Sequence, residues 1–192
     1  MPKLQVVIAS TREGRAGPTV AAWFVEQARA HAGFDVEVVD LKEVALPLFD
    51  ESVHPRLRQY EHAHTRAWSE RVDQADAYVF VTPEYDFATP AALSNALQYL
   101  VHEWAYKPVG FVSYGGVSAG LRGVQMTKQL VTSLRMMPVP EAVAIPFYSQ
   151  HLNADTGVFD PGETQAKAAR GMLDELGRWA GALRPLREAA RA

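Results

Sequence analysis

The chain has 192 residues, 48% of them apolar and 21% charged, which separates it from disordered and fibrous classes. It contains no cysteine, and this excludes disulfides, thiolate nucleophiles, iron–sulfur clusters and cysteine-type zinc sites together. A net charge of −3 offers no basic face to nucleic acid, and no apolar run reaches the roughly 18 residues needed to span a bilayer.

Residues 4–9 (LQVVIA) are a short run rich in β-branched residues, the mark of a strand buried on both faces. The opening MPKLQVVIAS enters this run without a signal-peptide layout, so a cytoplasmic location is expected. A loop covers Ser10 to Gly17, and Pro18 opens a helix, where its missing N–H does no harm. Phe34 to Leu41 alternates enough to be a second strand, nearer an edge. Residues 42–61 hold two prolines and read as irregular, and 62–75 read as a helix with one face to water. Ala77 to Val81 is a third strand that stops at Thr82-Pro83. Thr89 as N-cap and Pro90 at the first helical position predict a helix with Leu93, Leu97 and Leu100 on one face. Val109 to Tyr114 is a fourth strand ending at Gly115-Gly116. Leu121 to Met136 is helical, and Val139 to Ile145 is a weaker fifth strand. The last helix, about 161–184, carries a core stripe of Met172, Leu176, Trp179 and Leu183, and 185–192 form a short exposed tail. Five alternations of strand and helix imply one α/β domain over 1–192, with a parallel sheet ordered 2-1-3-4-5 or 3-2-1-4-5.

Ligands of such sheets bind beyond the carboxyl ends of the strands. Three unusual loops leave strands 1, 3 and 4 at that edge. The first, Ser10 to Thr19 (STREGRAGPT), sets hydroxyls, Arg12, Arg15 and two glycines before a helix N-terminus, a chemistry suited to phosphate. It is neither a Walker loop nor G-x-G-x-x-G. The second, Thr82 to Pro90 (TPEYDFATP), is stiffened by two prolines. It can offer backbone groups to a flat heterocycle, or plug the sheet end with Tyr85 and Phe87. Glu84 reads as a solvated loop glutamate and not as a base. The third, Ser113 to Arg122, has adjacent glycines that admit close backbone approach.

These three segments resemble the NADPH-dependent FMN reductases of the flavodoxin-like superfamily, in the same order over about residues 4–145. The resemblance implies a flavodoxin-like three-layer sandwich with a five-stranded parallel sheet in order 2-1-3-4-5. It implies FMN as cofactor, with Ser10, Arg12, Arg15, Gly17, Pro18, Thr19 and Val20 around the phosphate. Pro83, Glu84, Tyr85, Asp86 and Phe87 then line the isoalloxazine, with Gly115, Gly116 and Ser118 on its other side. Asp86 departs from the family's usual asparagine, and the expectation is that this is tolerated, since the family's contact there is mostly backbone. Hydride passes from NAD(P)H through FMN to a small acceptor such as a quinone, flavin or azo compound, by a ping-pong scheme needing no side-chain nucleophile. A homodimer or homotetramer is implied as well. A flavodoxin-type FMN electron carrier without NAD(P)H activity is the alternative, and a redox-inactive phosphate-ligand module is a third.

The histidines argue against a metal. His62 and His64 fall about 200° apart on a helix and cannot share an ion from one face. Trp104 and Tyr106 suit core, a subunit contact or a pocket wall.

Overall fold

The computed structural model describes residues 1–190. Strands β1 (Lys3–Ile8), β2 (Asp35–Asp40), β3 (Ala77–Pro83), β4 (Pro108–Tyr114) and β5 (Met137–Ile145) form one parallel sheet in the order β2-β1-β3-β4-β5. This is the flavodoxin-like order, one of the two allowed by the alternation. Every residue of β3 and β4 is buried, because helices cover both sides, whereas β2 at the edge leaves Val38 exposed.

The pleat divides the apolar residues between two layers. Leu4, Val6 and Ile8 of β1 and Val79 and Val81 of β3 pack against α1 (Gly17–His31) and α6 (Glu163–Ala189), through Val20, Phe24, Met172 and Leu176. On the other face Val7, Tyr78 and Phe80 meet α3 (Ala63–Asp73), α4 (Ala91–Gln98) and α5 (Leu121–Ser133), through Trp68, Leu97 and Val124. Trp104 proves to be core. Its ring lies 5.0 Å from that of Tyr78, and its indole N–H donates to the Leu97 carbonyl. A short α2 (Leu41–Val44) follows β2.

Three local expectations are corrected. Thr89 does not cap α4: Pro90 holds the N-cap position, and the Thr89 hydroxyl bonds the Gly123 carbonyl and Thr127 instead. The long-range partner outcompetes the local one. The helix ends at Gln98, so Leu100 is buried beyond it. Of the expected tail 185–192, residues up to Ala189 continue α6 straight through Pro185, while residues 191 and 192 lie outside the described residues. What holds this last turn is Arg187, nearly buried, whose Nη2 donates to Asp76 Oδ1 at 2.6 Å.

Asp76 also accepts from the Lys3 amide, and the buried Lys107 Nζ donates to the Val72 and Asp73 carbonyls that end α3. Charged anchors therefore cluster at the amino edge of the sheet. Arg187→Ala should lower unfolding free energy by about 1.5–3 kcal/mol in urea denaturation, the scale of a hydrogen bond to a charged group. Removal of a solvated tail residue would change it by no more than about 0.5 kcal/mol.

Candidate functional site

Parallel pairing brings Ile8 beside Val81 and Pro83 beside Tyr114, so the ends of β1, β3 and β4 lie level at one edge. The loops leaving them border a cleft of about 270 Å3, walled by Arg12, Ala16, Pro83, Glu84, Tyr85, Tyr114, Gly115, Gly116, Phe147, Tyr148 and Ser149. A larger groove, about 1070 Å3, lies at the opposite edge beside Met1, Asp76 and Arg187. It is away from the strand ends where ligands of such sheets bind.

In the first loop, Ser10 is fully buried and its Oγ accepts from the Tyr114 hydroxyl at 3.3 Å. Burial pushes that Tyr114 hydroxyl up to about 12, although its bond to Ser10 pulls the other way, so it stays a donor. Gly17 begins α1 directly against this pair: a Cβ there would stand 2.3 Å from Ser10 Oγ and 2.9 Å from Ile8 Cγ2. The N-cap residue is Ala16 and no side chain caps the helix, which leaves its first amides to an outside acceptor. Pro18 has no amide and lies exposed with Thr19, while Val20 points into the core and its amide is taken by the Ala16 carbonyl, so Val20 offers a ligand neither side chain nor amide. Arg12 is exposed on the cleft wall.

Arg15 does not offer its fork to the cleft. Its Nη1 and Nη2 reach Asp40 Oδ1 and Oδ2 at 2.6 and 2.5 Å, and Nη1 also reaches the Ser10 carbonyl. Burial alone would raise the Asp40 carboxyl, but the Arg15 fork and the Lys42 amide hold it below the usual carboxylate range. The pair straps the first loop to the end of β2.

The second loop closes a tight turn in which Tyr85 and Ala88 exchange amide hydrogen bonds. Asp86 and Phe87 both take left-handed φ, +49° and +68°, the pattern of a type I′ turn. Aspartate accepts this conformation about as asparagine does, which gives the Asp86 departure a physical basis. Glu84 is not solvated. Its carboxylate accepts from Arg122 Nε at 2.7 Å and the Arg122 amide at 3.1 Å, and Ser118 bonds it too. Burial would raise this carboxyl, and those donors lower it. Ser118, expected beside the flavin, thus has its hydroxyl directed at Glu84.

In the third loop, Gly116 faces open space where a Cβ would stand, while Gly120 has φ +77° and lies against the Tyr114 carbonyl. A fourth element was missed. The Phe147 and Tyr148 amides donate to the Gly116 and Gly115 carbonyls, and the Tyr148 ring meets Tyr114 edge-on at 5.5 Å. Two aromatics directly after the last strand, at the same edge as the other loops, were the available signal. His62 and His64 also differ from expectation: His62 precedes α3 with ψ 142°, so the two rings stack at 5.1 Å. Among the described residues, no group of three or more His, Cys, Asp or Glu is placed to hold a metal.

An uncapped helix start, an exposed arginine and a narrow aromatic cleft bordered by backbone polar groups suit a phosphate-bearing planar cofactor. The family of NADPH-dependent FMN reductases matches residues 2–150. The chain belongs to that family. An NAD(P)H-dependent FMN reductase of Schizosaccharomyces pombe is 40% identical over 146 residues, 75% of this chain and 72% of that one. A quinone reductase of Escherichia coli is 34% identical over 143 residues, 70% and 73% of the two chains. The solved structure of FerB, a flavoenzyme NAD(P)H:(acceptor) oxidoreductase of Paracoccus denitrificans, shares the fold at TM-score 0.74 with 20% identity, covering 95% and 98%. As an FMN reductase family member the protein is an NAD(P)H-dependent FMN oxidoreductase, and this replaces the electron-carrier alternative. Among the described residues, no helix is long and apolar enough to cross a membrane.

The glycines give a paired prediction. Gly17→Ala should destabilise the apoprotein by about 1–3 kcal/mol through overpacking. Gly116→Ala, with free space around it, should stay within about 0.5 kcal/mol. Thermal unfolding of both variants without flavin measures the difference.

Proposed function

We propose that this cleft holds FMN with its phosphate at the start of α1 and its ring between the second and third loops. Arg12 and the first-turn amides of α1 bind the phosphate, with Arg15 holding the loop and not touching the ligand. Backbone groups of Pro83 to Phe87 face one side of the ring and Gly115-Gly116 the other, with Tyr85 and Tyr148 limiting water. The observation that carries this reading is the convergence of an uncapped α1 and the exposed Arg12 on one end of the cleft. FMN held there by Arg12 and the first-turn amides of α1 would supply the hydride and electron chemistry that links NAD(P)H to an acceptor.

The remaining tasks of the chain are orientation and exclusion of water. The aromatic opening beside Tyr85 and Tyr148 is where NAD(P)H and the acceptor would both reach the ring, so the two would compete for one place. Donor and acceptor therefore alternate, which is ping-pong kinetics. A planar conjugated acceptor of the quinone, flavin or azo type suits aromatic walls. A homodimer or homotetramer belongs to the proposal, supported by the exposed Leu48, Phe87 and Val117, which leave apolar surface for another copy. A cytoplasmic location also belongs to it, supported by the dependence on NAD(P)H, as does a single domain over 1–192, supported by one sheet gathering all five strands.

Initial rates with NADPH and a quinone both varied should give parallel double-reciprocal lines; intersecting lines refute alternation. Arg12→Ala should weaken FMN by about 2–3 kcal/mol, the loss of a charge-assisted bond, read by fluorescence titration of the apoprotein. Unchanged affinity removes Arg12 from the phosphate site.

A further inference from the structure

The second and third loops are joined by an ion pair whose partners lie far apart in sequence. The Glu84 side chain is only 8% exposed, and Arg122 reaches it with Nε, Nη2 and its own amide. The Ser118 hydroxyl adds a further donor. There is little slack around the pair. A Cβ on Gly123 would stand 3.0 Å from both Glu84 Cβ and the Ala88 carbonyl, and Thr89 bonds the Gly123 carbonyl from the other side. The first turn of α5 is thus pressed onto the loop that follows β3.

Arg122 does a second thing in the same pose. Its guanidinium carbon lies 3.6 Å from the centre of the Phe87 ring. Phe87 is a bulky residue at φ +68°, a conformation that persists only when its surroundings impose it. The stacked guanidinium and the carboxylate behind it are such surroundings. Exposed ion pairs contribute little because water screens them. Here the guanidinium is half-exposed, but the carboxylate is buried and every contact is directional, so the pair fixes geometry more than it adds charge stabilisation.

We infer that Glu84 and Arg122 are positioning residues for the flavin, their side chains holding the Tyr85–Ala88 turn at the height a flat ring requires without touching the ring. The inference rests on the reading that the cleft holds FMN. It also gives Glu84 and Ser118 a different task from the direct cofactor contact implied by family resemblance.

The test uses full-length apoprotein of the wild type, Glu84→Ala, Glu84→Gln, Arg122→Ala and the double variant Glu84→Ala/Arg122→Ala. Each is titrated with FMN, and amide exchange of Tyr85 and Ala88 is followed without flavin. The expected result is about tenfold weaker FMN binding in each alanine single variant, the scale of one charge-assisted bond. The double variant should be no worse than either single, and Glu84→Gln should recover most of the loss. Exchange at Tyr85 and Ala88 should rise in the alanine variants while β3 stays protected. Additive losses in the double variant overturn the inference, as do unchanged affinity and unchanged exchange in the singles. A wild type that takes no FMN strikes the cofactor reading alone, since exchange in the apoprotein still decides whether the pair holds the turn.

Discussion

The start of α1 rests directly on side chains at the end of β1, because Gly17 brings none of its own. Gly17 meets Ser10 and Ile8, and the Tyr114 hydroxyl joins the same contact from the end of β4. Everything at the carboxyl edge depends on this approach. It sets the uncapped helix start beside the cleft, buries Ser10, and gives the first and third loops a common floor. Were α1 pushed out by one methyl group, its first amides would recede from the space that Arg12 borders.

Charge is divided between two tasks. Near the cleft, Arg15 with Asp40 and Arg122 with Glu84 tie loops to the frame, and Arg12 is left exposed toward the site. At the opposite edge, Asp76, Arg187 and Lys107 fasten strand starts and helix ends. This separation suits a fold in which the amino edge supplies stability and the carboxyl edge supplies binding. A reaction whose chemistry resides in a cofactor asks the chain for orientation and not for a nucleophile.

Both helical layers and the edge that carries the proposed site were legible in local period and crossover handedness, which left two sheet orders open, and the family resemblance chose between them. Partner choice was not legible, because it depends on residues brought together by the fold. Arg15 carries the right chemistry for a phosphate, yet Asp40, delivered by the β1–β2 register beside Ile8, claims its fork. Glu84 reads as solvated because Arg122 lies beyond a helix, a strand and their loops. Thr89 fits a cap by local pattern, but Gly123 and Thr127 offer better partners. The length of α6 was not legible either, since the Arg-rich end reads as a solvated tail, whereas Arg187 bonds Asp76 and the Tyr106 carbonyl across the fold.

The central claim is that a phosphate is recognised at the start of α1 and by Arg12. Comparing FMN with riboflavin, which lacks only that phosphate, on the apoprotein tests it most directly. The account predicts FMN binding at least about a hundredfold tighter, the sum of two charge-assisted contacts. Equal affinities for the two flavins would contradict it.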